Sequence, residues 1–257
     1  MSKTGKTERL DKLLALHLTG SRKEAGLLVR RGLVLVNGTA ARRAEEKVDP
    51  ERDSVSVEGR ELTLRKHLYI MMNKPSGVLS ATRDPKAETV VDLLPAQWRR
   101  RGMFPAGRLD KDTRGLLILT DDGDFAHRML APKSHVWKLY EAKLDGPVGP
   151  EERDRFLRGV SIGDRICLPA ELYLPDGESS SLVRVRIREG KFHQVKRMFS
   201  AVGREVTALS RLQIGGLSLD AALGPGECRL MTAEETALVF AKGPGSVEPS
   251  RAAGMEI

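Results

Sequence analysis

Two short runs of uninterrupted apolar residues most constrain how this chain can fold. Residues 68–72 and 116–119 are apolar throughout and end at turn signals in residues 73–77 and 121–123. Runs of this length without alternation are typical of strands that are buried on both faces. Residues 182–188 instead alternate between aliphatic side chains and arginine, which predicts a half-buried strand with a basic outer row. Because apolar residues at helical spacing follow these strands, the pattern predicts an α+β domain built on a mixed, mainly antiparallel sheet with flanking helices.

The first fifth of the chain predicts a second, smaller unit. Residues 9–18 carry leucines at helical spacing, and Ser21 with Glu24 three residues later is the capping-box pattern that begins another helix. Residues 34–36 predict a strand, and residues 37–38, Asn-Gly, predict a type I′ hairpin turn. We therefore expect a compact module of two short helices and a few strands.

Positive charge is concentrated in this module. The whole chain has a formal net charge of +8, and residues 1–43 hold ten Lys or Arg against three acidic residues. A concentrated basic region favours a polyanionic partner such as nucleic acid, although a solvated basic face without a partner fits the charge equally well. The basic side chains expected off the apolar helix faces are Arg9, Lys12, Arg22, Lys23, Arg30 and Arg31.

Composition excludes several other classes of protein. Cys167 and Cys228 are the only cysteines and lie far apart, which argues against a disulfide framework and against a cysteine-based zinc site. No apolar run is long enough to cross a bilayer, and residues 1–6 are polar and lack a signal-peptide core. We expect a cytoplasmic protein that does not enter a membrane, and a monomer, because nothing in the sequence demands a dimer.

The N-terminal module resembles the S4 (αL-type) RNA-binding domain. Residues 9–13, 21–25 and 34–38 match the pattern of that domain in order. S4 domains bind structured RNA but occur in many different proteins, so the resemblance implies an RNA partner and no particular reaction. It places RNA contacts on Arg9, Lys12, Ser21, Arg22, Lys23, Arg30, Arg31 and Asn37.

The strongest chemical signal is the glycine-framed loop of residues 107–116, Gly-Arg-Leu-Asp-Lys-Asp-Thr-Arg-Gly-Leu. Loops held by a rigid sheet often carry catalytic groups, but aspartates in turns also commonly cap local N–H groups. The segment contains no histidine and lacks the Gly-Lys-Ser/Thr ending of a phosphate-binding loop. The residues alone leave both interpretations open.

The same loop resembles the signature motif of pseudouridine synthases, whose catalytic aspartate corresponds to Asp110. Residues 73–77, 138–140 and 189–199 resemble three further motifs of that family, in the right order. Together with the S4-like module, the arrangement is similar to that of the small-subunit ribosomal RNA pseudouridine synthases. The resemblance implies an isomerase that converts a uridine in ribosomal RNA to pseudouridine.

The resemblance also assigns roles to the site residues. Asp110 is the catalytic carboxylate, Tyr140 lies against the target base with its hydroxyl serving proton transfer at C5, and Lys196 is the cation beside Asp110. Lys196 lies in the first turn of its predicted helix, where the helix dipole disfavours positive charge, so it should have a partner elsewhere. The neighbouring Arg197 remains an alternative for this role.

The remaining expectations concern RNA contacts and cofactors. Lys74, Arg108 and Arg197 are expected to contact RNA, although a structural ion pair is a second possibility for Arg108. The family reaction extrudes the uracil from its stack, cleaves the glycosidic bond with the help of Asp110, rotates the base and joins C5 to C1′. Whether Asp110 adds to C1′ or removes the C2′ proton stays open. An isomerisation of this kind needs no cofactor and no metal.

The predicted boundaries are an S4 domain over residues 8–58, a linker over 59–66, a catalytic domain over 67–241 and a disordered tail over 242–257.

The expected target is uridine 516 of 16S ribosomal RNA. The alternatives are a 23S ribosomal RNA enzyme of the same family and a non-catalytic ribosomal RNA-binding assembly factor. The sequence leaves open whether the substrate is free RNA or an assembly intermediate of the small subunit.

Overall fold

The computed structural model describes residues 7–18, 21–50, 52–62, 64, 67–99, 102–163, 165–175 and 179–241. The predicted disordered tail, 242–257, lies outside these residues. The chain divides into two compact units. The first comprises Met1–Leu68 and Leu94–Met103, and the second comprises Tyr69–Leu93 and Phe104–Ile257.

Within its described residues, the first unit contains two α-helices, one 3-10 helix and two small sheets. Its elements are β1 (Glu8–Arg9), α1 (Leu10–His17), α2 (Arg22–Arg30), β2 (Val34–Val36), β3 (Thr39–Ala40), β4 (Lys47–Val48), β5 (Val55–Val57), β6 (Arg60–Leu62) and a short 3-10 helix, Ala96–Trp98. One sheet has the strand order β3-β2-β5-β6, and β1 pairs with β4. The core is formed by leucines of α1, Ala25 and Val29 of α2, and valines of the strands.

The local signals at the start of this unit are confirmed. Ser21 caps α2 by accepting a hydrogen bond from the Glu24 N–H, and the Glu24 carboxylate accepts one from the Ser21 N–H. Asn37 and Gly38 have φ values of 51° and 77°, as a type I′ turn between β2 and β3 requires. Short-range polar chemistry therefore determines where these elements begin and turn.

The predicted linker over residues 59–66 is partly wrong. Arg60–Leu62 forms β6, which pairs with β5, and Leu64 is buried in the core of the first unit. Glu58 and Gly59 both have positive φ values and turn the chain back onto the sheet. The charged sequence of β6 is typical of a sheet edge, where charge discourages pairing with other chains, and this composition imitates a linker.

The second unit is built around a larger sheet. Its elements are β7 (Tyr69–Lys74), β8 (Phe104–Pro105), β9 (Arg114–Thr120), α3 (Gly123–Leu130), β10 (Lys138–Val148), α4 (Pro150–Arg158), β11 (Ser161–Ile162), β12 (Arg165–Ile166), β13 (Glu171–Tyr173), β14 (Ser180–Ile187), α5 (Gln194–Ser200), β15 (Val206–Ile214), β16 (Leu217–Ser218), β17 (Cys228–Leu230) and α6 (Ala233–Leu238), with a 3-10 helix at Pro132–Ser134. The strand order is β13-β14-β10-β15-β9-β7-β17, with β16 on β15 and β8 on β9.

Most pairings in this sheet are antiparallel, which confirms the α+β prediction. Among the described strands, β9 and β15 form the one parallel pair. The apolar runs of β7 and β9 pair with each other within the sheet. Phe125, Ala126 and Met129 of α3 pack in one core cluster with residues of both strands. These two strands are apolar throughout because they lie inside the domain.

The alternating segment forms β14, but its basic row is not simply solvated. Arg186 is only 6% exposed, and its guanidinium lies 3.2 Å from the carboxylate of Glu171. Arg184 pairs with Glu141 of β10 at the same distance. Alternation predicts which side chains share a face, but the acidic partners on neighbouring strands are visible only in the folded sheet.

Lys74, which was predicted to contact RNA, is fully buried at the end of β7, and that prediction is wrong for this structure. Its ammonium donates hydrogen bonds to the backbone carbonyls of Pro75, Lys111 and Thr113. Burial lowers the pKa of Lys74 to about 8, against the opposing effect of Asp112 and Asp110. Lys74 thus fastens the 107–116 loop to the end of β7.

The parallel pair of β9 and β15 depends on Gly115. This residue lies opposite Arg211, and its φ is +97°. A Cβ atom at Gly115 would lie 2.3 Å from the Arg211 carbonyl oxygen and 2.8 Å from its nitrogen. The strands can approach this closely only because residue 115 has no side chain.

We therefore predict that Gly115→Ala lowers the free energy of unfolding by about 3 kcal/mol or more, because backbone strain and a backbone clash act together. Chemical denaturation of the purified variant measures this loss. Gly123→Ala is the matched control, since a Cβ there meets nothing within 4 Å. A Gly115→Ala variant as stable as this control would contradict the close approach.

Candidate functional site

The loop that carries Asp110 is held on both sides of that residue. On one side, the Ser80 hydroxyl accepts a hydrogen bond from the Leu109 N–H at 3.0 Å and donates to the Leu109 carbonyl at 2.8 Å. On the other side, the Lys111 carbonyl accepts from the Gly77 N–H at 2.8 Å and from the Lys74 ammonium at 3.1 Å. These contacts fix the backbone around Asp110 without using its carboxylate.

Two cationic or potentially cationic groups lie beside the Asp110 carboxylate. The Lys196 ammonium is 3.8 Å from one carboxylate oxygen, and Nε2 of His193 is 3.5 Å from the other. The Asp110 side chain is 27% exposed, so it is partly removed from water but still reachable. The structure thus brings together Asp110 and Lys196, as their motifs imply.

Asp112 was missed by sequence reasoning. Both of its carboxylate oxygens lie 2.7 Å from the Lys196 ammonium, closer than either oxygen of Asp110. This hydrogen bond lowers the pKa of the Asp112 carboxyl. Lys196 therefore lies beside two carboxylates. The Asp-Lys-Asp sequence of residues 110–112 was the signal from which Asp112 could have been found.

His193 was also missed as a neighbour of Asp110, because it is distant in sequence. Its backbone is left-handed, with φ of 49°, immediately before α5. Its ring stacks on Phe192 with a centroid distance of 3.8 Å, and Phe192 is 71% exposed. A strained non-glycine backbone and an exposed aromatic side chain next to a carboxylate are typical of functional sites.

Tyr140 is linked through the sheet register to β9, the strand that follows the Asp110 loop. It lies opposite Arg211 in the β10–β15 pair, and Arg211 lies opposite Gly115 in the β15–β9 pair. Gly115, Arg211 and Tyr140 therefore form one row across three strands, with adjacent strands about 4.8 Å apart. Tyr140 is buried, at 8% exposure, and its hydroxyl accepts from Arg211 at 3.5 Å.

The structure shows that Lys196, and not Arg197, is the cation beside Asp110. Arg197 donates to the Ile162 carbonyl of β11 at 3.0 Å and not to Asp110. Arg108 is exposed, and no ion pair to it is present among the described residues. The possibility of a structural ion pair for Arg108 is therefore not supported, and its guanidinium is accessible to a substrate.

The predicted RNA contacts of the first unit fall into two groups. Arg9 is hydrogen-bonded to Asp11, Lys12 pairs with Glu8 at 2.7 Å, and the Ser21 and Asn37 side chains are engaged in the helix cap and the turn. The second group has exposed side chains with no ion pair among the described residues. It consists of Arg22, Lys23, Arg30 and Arg31.

The described residues contain neither a metal-binding cluster nor a membrane-spanning helix. No three His, Cys, Asp or Glu side chains there are grouped so that they could hold a metal ion. No helix in that part of the chain is both long and apolar enough to span a membrane.

Comparison with known proteins agrees with this geometry. The family model described as RNA pseudouridylate synthase matches residues 68–201, and that of the S4 domain matches residues 8–53. An uncharacterized RNA pseudouridine synthase of Bacillus subtilis, YtzG, is 48% identical over 90% of this chain and 98% of the relative. Ribosomal small subunit pseudouridine synthase A of Escherichia coli is 42% identical over 90% of this chain and 99% of the relative. A crystal structure of a pseudouridylate synthase is 33% identical, with a TM-score of 0.63, over 90% of this chain and 99% of that one. This chain therefore belongs to the RNA pseudouridylate synthase family and carries an S4 domain ahead of its synthase domain.

Proposed function

We propose that this pseudouridine synthase modifies small-subunit ribosomal RNA, with uridine 516 of 16S ribosomal RNA as its target. The observation that carries the subunit assignment is the similarity, over nearly the full length of both chains, to an enzyme named for the ribosomal small subunit. A substrate of this kind is consistent with a protein that acts as a monomer in the cytoplasm on ribosomal RNA or on an assembly intermediate.

Asp110 is the catalytic carboxylate in this proposal. Its carboxylate is partly buried and lies within 4 Å of Lys196 and His193, so two basic groups flank the carboxylate that acts on the ribose. The loop backbone on both sides is already fixed, so little reorganisation is needed when charge develops. Lys196 is the cation beside Asp110, and the nearby Asp112 holds Lys196 in place.

RNA recognition is divided between the two units. Arg22, Lys23, Arg30 and Arg31 of the S4 domain supply unpaired positive charge for phosphates. In the synthase domain, Arg108 is exposed two residues before Asp110 and can hold a phosphate or fill the gap that the extruded base leaves. Tyr140 lies against the target uracil.

We predict that Asp110→Asn abolishes tritium release from ribosomal RNA labelled at uridine C5, by a factor of about 10³ or more, because the amide cannot act as nucleophile or base. RNA binding should be nearly unchanged. Asp112→Asn is the matched control, since it removes the same charge from the same loop and the same lysine. It should retain activity to within about tenfold. The proposal fails if the two variants lose activity in the reverse order.

The target is tested by mapping pseudouridine in ribosomal RNA from cells that lack the gene. We expect loss of one pseudouridine in 16S ribosomal RNA, restored by the wild-type gene and not by the Asp110→Asn gene. Loss from 23S ribosomal RNA with an intact 16S pattern would contradict the subunit assignment and support the related large-subunit activity.

We predict that Arg22→Gln with Lys23→Gln weakens RNA binding and reduces the slope of log affinity against log salt by up to about 2, because two phosphate contacts release fewer counterions. Affinity is measured across a salt series. Arg52→Gln with Arg60→Gln removes the same charge from exposed positions elsewhere in the first unit and is the control. Equal slopes for the two double variants would show that the α2 surface is not the docking site.

A further inference from the structure

Arg211 is a buried cation to which the family motifs assign no role. It is 4% exposed and lies on β15, between β10 and β9. Its Nε donates to the Leu116 carbonyl of β9 at 2.8 Å. Among the described residues, no carboxylate lies within ion-pair distance of its guanidinium, and its buried Nη2 has no hydrogen-bond partner.

A buried arginine without an anionic partner is unusual, because removing a charge from water is costly unless that charge is paired. The surroundings add to this excess of positive charge. Lys138 of β10 is only 9% exposed, and burial together with the charge of Arg211 lowers the pKa of Lys138 to about 8, partly offset by Glu189. The site therefore favours an anion that the free protein does not supply.

The sheet register directs Arg211 toward Tyr140. Between Leu139 and Tyr140 the β15 partner changes from Gln213 to Arg211, so that Leu212 is the extra residue of a β-bulge. Bulges commonly redirect a side chain next to an active site. Here the bulge places Arg211 directly opposite Tyr140, with its guanidinium carbon 6.0 Å from the centre of the phenol ring.

The hydrogen bond that Arg211 donates to Tyr140 limits where the hydroxyl proton of Tyr140 can point. Nη1 of Arg211 lies 3.5 Å from the Tyr140 hydroxyl oxygen. A guanidinium has no acceptor, so the oxygen must accept and its own proton must point elsewhere. Contacts of this length in a free enzyme often shorten when substrate binds. Arg211 thus presents Tyr140 as a polarised hydrogen-bond donor.

We propose that Arg211 is a positioning residue that turns the Tyr140 hydroxyl proton toward a carbonyl oxygen of the uracil once the base is detached. The proposal rests on the proposed function and deepens it. When the C1′–N1 bond breaks, its electron pair stays on the uracil and is shared by N1 and the two carbonyl oxygens. Tyr140 donates a hydrogen bond to that anion, and the nearby guanidinium stabilises the negative charge. The charge disappears when C5 bonds to C1′, as Asp110 either leaves C1′ or returns the proton to C2′. The C5 proton then passes by way of the Tyr140 hydroxyl to solvent, and N1 takes up a proton from solvent.

A double-mutant cycle tests this coupling. Arg211→Gln should lower kcat for tritium release at least tenfold with KM changed less than threefold, because the anion forms after the RNA has bound. In the Tyr140→Phe background the same substitution should change kcat less than twofold, since no hydroxyl is left to orient. Melting curves confirm folding, and if Arg211→Gln does not fold the cycle is run with Arg211→Lys under the same criterion.

Arg186→Gln is the matched control. Arg186 is also a buried arginine in this sheet but pairs with Glu171, so its loss should change kcat less than twofold. Equal loss of kcat from Arg211→Gln in both backgrounds, or no loss in either, would overturn the proposal; equal loss would assign Arg211 to holding β9 through Leu116. An inactive wild-type protein would instead contradict the proposed function itself.

Discussion

The geometry of the site depends on the close approach of β9 and β15 at Gly115 and Arg211. Antiparallel neighbours are often joined by short hairpins that fix their register, whereas parallel strands need long crossovers. No short turn therefore fixes the register of the β9–β15 pair. The absence of a side chain at Gly115 lets the two strands approach at this point and fixes the register instead. This one contact brings the loop that ends at β9 beside the strand that faces Tyr140.

The electrostatics of the site follow from how that loop is held. Carbonyls of the loop backbone accept hydrogen bonds from the Ser80 hydroxyl and from the buried Lys74 ammonium. None of these hydrogen bonds uses the Asp110 carboxylate. Lys196 makes its short hydrogen bonds to Asp112 and remains 3.8 Å from Asp110. Asp110 consequently has a cation nearby without a short contact that would block its oxygens. Such a fixed arrangement lets the charges act on the transition state without prior reorganisation.

The structural features that the sequence predicted correctly depend on short-range chemistry. The Ser21 cap, the Asn37–Gly38 turn and the buried runs of β7 and β9 depend on residues a few positions apart, and the structure contains them all. The motif resemblance placed Lys196 near Asp110 although 86 residues separate them, which periodicity alone does not reveal.

The features that the sequence predicted wrongly or missed depend on contacts between residues far apart in the chain. Lys74 was expected to contact RNA, but its ammonium is buried against the carbonyl of its neighbour Pro75 and two carbonyls of the distant 107–116 loop. The neighbours Asp112 and His193 depend on the path of two loops, and the bulge at Leu212 depends on a long-range pairing. Local patterns carry no information about which strands meet, so contacts made through the sheet had to come from the structure.

The same distinction applies to the basic charge of the S4 domain. The concentrated basic charge included Arg9 and Lys12 among the expected RNA contacts, yet these two side chains are paired with Asp11 and Glu8 within the fold. These ion pairs reduce the charge available to a phosphate, and the more exposed Lys12–Glu8 pair adds little stability. The charge that remains free is concentrated on α2, where Arg22 and Lys23 occupy the first turn. Two cations at a helix N-terminus are locally unfavourable because the helix dipole is positive there. A bound phosphate reverses that penalty, since it is attracted both by the side chains and by the helix end.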